Sequence, residues 1–210
     1  MTAVIASARQ GMPSWDPTSH RPHRLHGDDV DWPETNCYVD LWIEVLHGLD
    51  LDPVAAFGFL VGCDFDGEQW EFFKIPPGDL DELWGIDVRE FNVWRPVDEH
   101  IERHLSLGHL LTVEADACYL PDTAGTTYGT AHQKTTIAPV MIDRNAGVLW
   151  YFHNRGLFEL READYDGLFG SGAPVLAPYA EIIDLDRLER PDHGALHGRV
   201  SSLLHRALQR

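Results

Sequence analysis

A cysteine, a histidine and an asparagine in the chain order Cys37, His132, Asn154 could together perform nucleophilic acyl chemistry. Cys37 opens an amphipathic stretch running to Leu46, directly after a helix-breaking lead-in, Trp32-Pro33-Glu34-Thr35-Asn36. The unpaired amides and positive dipole end of a helix start favour a thiolate, which is the reactive form of the side chain. His132 stands just before a strand-like run beginning at Thr135, and Asn154 just after another ending at Phe152. In an antiparallel hairpin the start of one strand lies beside the end of the next, so the two are expected side by side. Cys37 would attack a carbonyl carbon and His132 would hold and return the proton. Asn154 would orient the imidazole, with its neighbour His153 as the alternative base or orienter. The Cys37 amide, helped by the Asn36 side chain, would hold the oxyanion. Asp116 and Asp122 flank Tyr119-Leu120-Pro121 on the way to His132, and are read as pocket-lining or amine-binding residues.

The elements that must position these groups read as an α+β chain. Up to about Asp31 the sequence is rich in Pro, His and Asp without periodicity, so residues 1–31 read as an arm laid over the surface or left mobile. Val39, Trp42, Val45, Leu46 and Leu49 recur at helical spacing, and Gly48, Asp50 and Pro53 end that helix. A second, mostly apolar helix is expected from Pro53 to about Gly62, then a strand over Gln69–Ile75, a short helix around Asp79–Trp84 and a strand over Val88–Trp94. Pro96–Leu107 reads as a helix with Val97, Ile101, His104 and Leu105 on one side, stopped by Gly108. A strand from Leu110 is expected to continue through Leu120. Thr135–Ile142 and Val148–Phe152 flank a turn composition and predict a hairpin, followed by a short strand at Leu157–Leu160 and a helix at Ala163–Phe169. Gly170–Pro174 reads as a connector, Val175–Leu185 fits either state, and Ala195–Leu208 closes the chain as an amphipathic helix. Helices first and a hairpin-rich sheet later argue for α+β rather than alternating βαβ units. The expected organisation is a 1–31 arm, a 32–185 catalytic domain and a 186–210 helical extension.

Composition bounds the function. With 34 acidic against 16 basic residues in 210, a net charge of −18, the surface is unsuited to a phosphate backbone, and nucleic acid is excluded as a partner. No apolar run is long enough for a membrane span and the first residues lack a signal-peptide pattern, which predicts a cytoplasmic protein without a membrane partner. Three scattered cysteines, Cys37, Cys63 and Cys118, suggest neither a disulfide framework nor a zinc cluster. Cys63 and Cys118 sit among apolar neighbours and are expected to be buried, as are Trp70, Trp84, Trp94 and Trp150. His20, His23 and His26 are regularly spaced but lack a carboxylate or thiol at ligand spacing, so no metal site is assigned. His193 and His197, one turn apart, are read as a solvated helix face.

The segments Asn36-Cys37-Tyr38-Val39-Asp40-Leu41-Trp42, Phe91-Asn92-Val93-Trp94-Arg95-Pro96, Tyr119-Leu120-Pro121-Asp122-Thr123, His132-Gln133-Lys134-Thr135-Thr136 and Tyr151-Phe152-His153-Asn154 resemble a bacterial family known as domain of unknown function 1839, over roughly Trp32 to Leu185. More distantly the layout is similar to the N-terminal domain of butirosin biosynthesis protein H, a papain-like Cys/His acyltransferase family that moves an aminoacyl group from a carrier-protein thioester to an amine. That resemblance matches Cys37 and His132. It implies an acidic third residue after the following strand, where this chain has Asn154 beside His153. It further implies a papain-like fold, an acyl or aminoacyl carrier protein as partner, a small-molecule acceptor, and no cofactor beyond phosphopantetheine carried by the substrate. A carrier protein is usually acidic, so docking would need Arg95, Arg103, Lys134, Arg144 or Arg155 to gather near the pocket mouth. A cysteine hydrolase (thioesterase or small amidase) and a non-catalytic protein that binds a carrier protein or small molecule are the competing readings.

Overall fold

The computed structural model describes residues 3–5, 13–27, 36–170 and 179–209. Among them one antiparallel sheet holds β1 (Val4–Ile5), β2 (Asp87–Glu90), β3 (Leu110–Asp116), β4 (Lys134–Asp143), β5 (Val148–His153), β6 (Gly156–Arg161) and β7 (Ala180–Asp184). The order is β2-β7-β3-β4-β5-β6, with β1 on the far half of β4 at Met141 and Ile142. The helices are α1 (Cys37–Gly48), α2 (Pro77–Trp84), α3 (Val97–Ser106), α4 (Glu162–Phe169) and α5 (His193–Ala207). Mixed helices on an antiparallel sheet are the α+β arrangement that the sequence predicts. No helix among the described residues is long and apolar enough to cross a membrane.

The β4–β5 hairpin forms because Asp143 Oδ1 accepts the N–H groups of Asn145 and Ala146, each at 3.0 Å, and Gly147 takes a φ of 62°. β5 then returns through a two-residue turn into β6, pairing His153 with Gly156. Leu41, Trp42, Val45, Leu46 and Leu49 of α1 and its flank are fully buried. At the end of α1 a side chain on Gly48 would come within 2.5 Å of Phe152, so a glycine is what lets helix and β5 approach. Phe152 and Trp15 pack edge to face there, and Trp15 Nε1 donates to the Gly48 carbonyl at 2.8 Å.

Several expectations change. The 13–27 stretch is an anchored strap: His26 Nδ1 stands 2.6 Å and His20 Nε2 2.8 Å from the two oxygens of Glu44, and the His23 N–H donates to the same carboxylate at 2.9 Å. The polar side of α1 is thereby buried as well as its apolar side, which helical periodicity alone does not reveal. Pro53–Gly62 is a 3₁₀ helix rather than an α-helix, and Val54, Leu60 and Val61 on it face solvent. Gln69–Ile75 carries one isolated bridge, Phe65 to Trp70, instead of a strand, with Trp70 and Phe72 exposed while Phe73 and Ile75 pack against the core. Trp70 and Trp94 are exposed and Trp150 half-buried, leaving Trp84 as the core tryptophan of the four. β2 ends at Glu90, and β3 ends at Asp116, where the chain turns into 3₁₀ segments. Val175–Leu185 resolves as β7 in its latter half. The lead-in at 32–35 and the connector beyond Gly170 lie outside the described residues. α5 packs on α2 and on the 3₁₀ helix, where Gly58 and Gly62 face Leu204 and Ala207.

Candidate active site

Asn36 caps α1. Its Oδ1 accepts the Val39 N–H at 3.1 Å and its Nδ2 donates to the Phe73 carbonyl at 2.6 Å. That amide thereby holds the helix start, with one Nδ2 N–H given to Phe73 and its oxygen to Val39. Cys37, half-buried, follows as the first helical residue. Tyr38 fixes this end to the sheet, donating from its hydroxyl to Glu181 Oε2 at 2.7 Å, while Thr112 Oγ1 donates to the same oxygen at 2.9 Å. Lys74 Nζ stands 2.7 Å from Glu181 Oε1, which also accepts the Tyr179 hydroxyl at 3.3 Å, and lies 5.0 Å above the Tyr38 ring. Burial works against charge on Glu181, but Lys74, Tyr38 and Thr112 outweigh it and hold its pKa below the usual carboxylate value. Burial and the adjacent Glu181 charge push the Tyr38 phenol up, so it remains a donor.

The predicted base has a partner that sequence reasoning placed elsewhere. His132 Nδ1 stands 2.6 Å from Asp116 Oδ2, and Asp116 Oδ1 accepts the Cys118 N–H at 3.0 Å. Asp116 ends β3 opposite Lys134, which begins β4, so the ladder itself brings the carboxylate to the residue two before β4. The Asp116 carboxylate accepts a hydrogen bond from Nδ1–H, which fixes the ring and leaves Nε2 as the nitrogen outside that contact. The His132 side chain is 50% exposed, and the Tyr119 ring lies 6.0 Å from it. Thr112 and Asp116 are four apart on β3 and point to the same face of the sheet, the face against which Tyr38 seats α1. Cys37 and the His132–Asp116 pair thus share one face. No hydrogen bond joins Cys37 Sγ to His132 among the described residues.

A second imidazole–carboxylate pair lies across β4. His153 Nδ1 is 2.5 Å from Asp122 Oδ2, Tyr151 donates to Asp122 Oδ1 at 2.5 Å, and Thr135 Oγ1 is 2.7 Å from His153 Nε2. His153 and Asp122 side chains are 1% and 4% exposed. Thr135 follows Lys134 and points to the opposite face, so this network is separated from the first by the sheet. Both ring nitrogens of His153 are engaged, which leaves no nitrogen to act as base. Asn154 is the first residue of the β5–β6 turn, with φ at 41° and its Oδ1 buried without a partner. The structure therefore does not join Asn154 to His132; its place is conformational, as a residue tolerating the left-handed region.

The remaining thiols are half-buried rather than buried. Burial, Glu71 and Asp64 raise the Cys63 pKa. Among metal-type groupings, His109, Asp184 and Asp186 bring one ligand atom each within 4.8 Å of one another, at the end of the sheet away from Asp116. Arg89 already ion-pairs with Asp184 there at 3.1 Å. Of the basic residues that an acidic partner would need, Arg144 is held by Asp98 at 2.7 Å, Lys134 by Glu114 at 2.6 Å, and the Arg95 guanidinium is stacked 3.8 Å from Trp94. The role of Asp116 had one readable signal: an acidic residue closing a strand that pairs with the strand following His132.

The family profile described as DUF1839 N-terminal domain matches residues 21–185, and the chain belongs to that family. A comparison with curated proteins returns no match. The matched span begins inside the strap, just after His20, and ends just beyond β7.

Proposed function

We propose that this member of the DUF1839 N-terminal domain family is a papain-like cysteine acyltransferase, which takes an acyl or aminoacyl group from a carrier-protein thioester onto Cys37 and passes it to an amine or hydroxyl acceptor. The observation that carries the reading is a half-exposed His132 held by a buried Asp116 on the same sheet face as a cysteine that opens a helix. Cys37 sulfur would attack the thioester carbonyl carbon, and the amides of the first α1 turn would meet the developing oxyanion. Collapse breaks the bond to the carrier thiol, which leaves with a proton from His132 Nε2. The acceptor amine then attacks the Cys37 thioester, gives its proton to Nε2, and Cys37 departs as the sulfur leaving group. Asp116 holds the ring and stabilises the imidazolium formed in each half-reaction. Catalytic hydrogen bonds are often long before substrate closes the site, and the reading requires Sγ and Nε2 to come within bonding distance then.

The surroundings favour a substrate carrying positive charge. Burial together with the carboxylates of Glu181, Glu90 and Glu114 pushes the Tyr179 phenol up to about 12, although Lys74 and Lys134 already pair with Glu181 and Glu114 there. An aminoacyl group or amine acceptor suits these surroundings better than an anionic one. Intact-mass measurement after mixing with aminoacyl-loaded carrier protein tests the proposal. The expected result is one acyl adduct on Cys37, lost in Cys37→Ala and discharged faster when an amine is added. An adduct on Cys118 or Cys63, or none, overturns it, and discharge to the free acid at a rate indifferent to amines identifies a hydrolase.

A further inference from the structure

Six of the ten large hydrophobic side chains that the described residues expose fall between residues 54 and 72. Phe65, Trp70 and Phe72 are 51%, 59% and 68% exposed, and the Phe65 and Trp70 rings lean on each other at 5.3 Å between centroids. Beside them lies a cleft of about 150 Å³ lined by Phe72, Phe59, Cys63 and Leu203, with Lys74 and with Arg206, which pairs with Glu82. Isolated exposed apolar residues are ordinary, but a contiguous aromatic cluster marks a surface that something covers. Its charge says what. Asp64, Asp66, Glu68 and Glu71 are exposed among these rings, and the stretch from Leu60 to Phe73 contains no Lys or Arg. Asp66 is held ionised by the Gln69 and Glu68 N–H groups, which lower its pKa. The first cation beyond, Lys74, already pairs with Glu181.

We infer that residues 60–72 form a docking face for a partner polypeptide whose contacting segment alternates apolar and basic side chains. Aromatic rings interleaved with carboxylates offer such a segment burial, ion pairing and cation–π contact together. The same surface repels an anionic membrane and a nucleic acid, and an acidic carrier protein delivering its thioester to Cys37 would have to approach from outside residues 60–72. The face adjoins the helix start, since Phe73 accepts the Asn36 hydrogen bond and Lys74 lies over Tyr38. A bound segment would sit at the approach to Cys37. The inference does not depend on the chemistry proposed for that residue.

The full chain would be titrated with a 14-residue amphipathic Leu/Lys peptide, its Leu/Glu counterpart and vesicles containing phosphatidylglycerol, following tryptophan fluorescence and peptide anisotropy. The Leu/Lys peptide is expected to bind saturably at one site. Trp70→Ala/Phe72→Ala and, separately, Asp64→Lys/Glu68→Lys should each weaken it tenfold or more, whereas Trp94→Ala, at an exposed tryptophan elsewhere, leaves it unchanged. All four positions are exposed, and unchanged circular dichroism and melting would verify that the variants fold. Equal binding by wild type and Trp70→Ala/Phe72→Ala would overturn the inference, the peptide then reading only the overall negative charge. Binding of the Leu/Glu peptide or of the vesicles would overturn it too. So would a dimer in light scattering that the double variant dissolves, which would make a second copy the occupant.

Discussion

β4 carries an imidazole–carboxylate pair on each side, and the two differ in one respect that matters. His132–Asp116 is half open to solvent at its imidazole and leaves Nε2 without a protein partner in its own pair, whereas His153–Asp122 is sealed, with Thr135 on Nε2 and Tyr151 on the second carboxylate oxygen. The same two functional groups at nearly the same spacing, 2.6 Å and 2.5 Å, are thus set in surroundings suited to different ends. A base must exchange its proton with something that arrives, and a strut must not. Asp122 belongs to the segment between β3 and β4 whose far end is His132, so the sealed pair holds the loop that presents the open one.

Breaking the open pair should give the largest effect on activity. His132→Ala is expected to slow acyl transfer and Cys37 alkylation near neutral pH by about 10²- to 10⁴-fold, and, because it leaves the buried Asp116 carboxylate one donor short, to cost about 1–3 kcal/mol of stability. Asp116→Asn should follow it in direction, read as a shifted pH profile of Cys37 alkylation by iodoacetamide. Breaking the sealed pair should fall mainly on stability. His153→Ala leaves Asp122 buried with one donor fewer, and a loss of about 3–5 kcal/mol in denaturant unfolding is expected. The pH dependence of Cys37 reactivity in the folded fraction should stay as in wild type. If His153→Ala moved that profile and His132→Ala did not, the two roles would be exchanged.

The contrast also explains what was legible in the sequence. The helix opened by Cys37, the β4–β5 hairpin and the position of His132 before β4 could be read because each rests on local signals, an N-cap, a turn composition and a strand pattern. The partner of His132 could not, because Asp116 reaches it through the β3–β4 ladder, a pairing between strands separated by a long loop. His153 and Asn154 were adjacent candidates at the end of β5, and strand alternation sends His153 to the other face. Exposure was misjudged at Trp70, where an aromatic strand-like composition reads as core although the side chain stands 59% exposed. The strap was read as an arm laid over the surface or left mobile, and the choice was not legible because His20, His23 and His26 find their partners on a helix that follows them.

That strap supplies a third imidazole–carboxylate pair, which sharpens the comparison through pH. Burial opposes charge on both partners, but Asp40 and Glu44 outweigh it for His26, pushed up to about 9, and the His20, His26 and His23 contacts outweigh it for Glu44, pushed down to about 2. A raised histidine pKa stabilises fully below the unfolded value near 6.5 and is lost as pH climbs to about 9. A depressed carboxyl stabilises fully above 4.5 and is lost as pH falls towards 2. The coupled pair should thus contribute roughly 3 kcal/mol, greatest between those two unfolded values. Urea unfolding measured across pH should show this plateau, and Glu44→Gln should flatten it. A wild-type curve flat from neutral pH to beyond 9 would mean the strap is not held by charge. Next in size, Gly167→Ala would drive a methyl to 2.3 Å from the Tyr119 ring, which lies beside His132. A cost of about 1–3 kcal/mol is expected, together with a few-fold loss of transfer that His153-side variants do not share.

The smallest effect is expected at Asn154, and its smallness decides a role. An orienting asparagine would make Asn154→Gly nearly as damaging as Asp116→Asn. In the structure the side chain instead ends in a buried oxygen without a partner, on a backbone at φ 41° that glycine adopts without strain. Removing it deletes an unsatisfied acceptor and relaxes the turn, while adding freedom to the unfolded chain, and these terms nearly cancel. Stability within about 0.5 kcal/mol of wild type and an unaltered Cys37 pH profile should result. Asn154→Val, which keeps bulk but resists positive φ, should instead cost about 1–2 kcal/mol with the same profile. A loss of transfer in both variants without loss of stability would return Asn154 to the catalytic set and leave Asp116 as a strut.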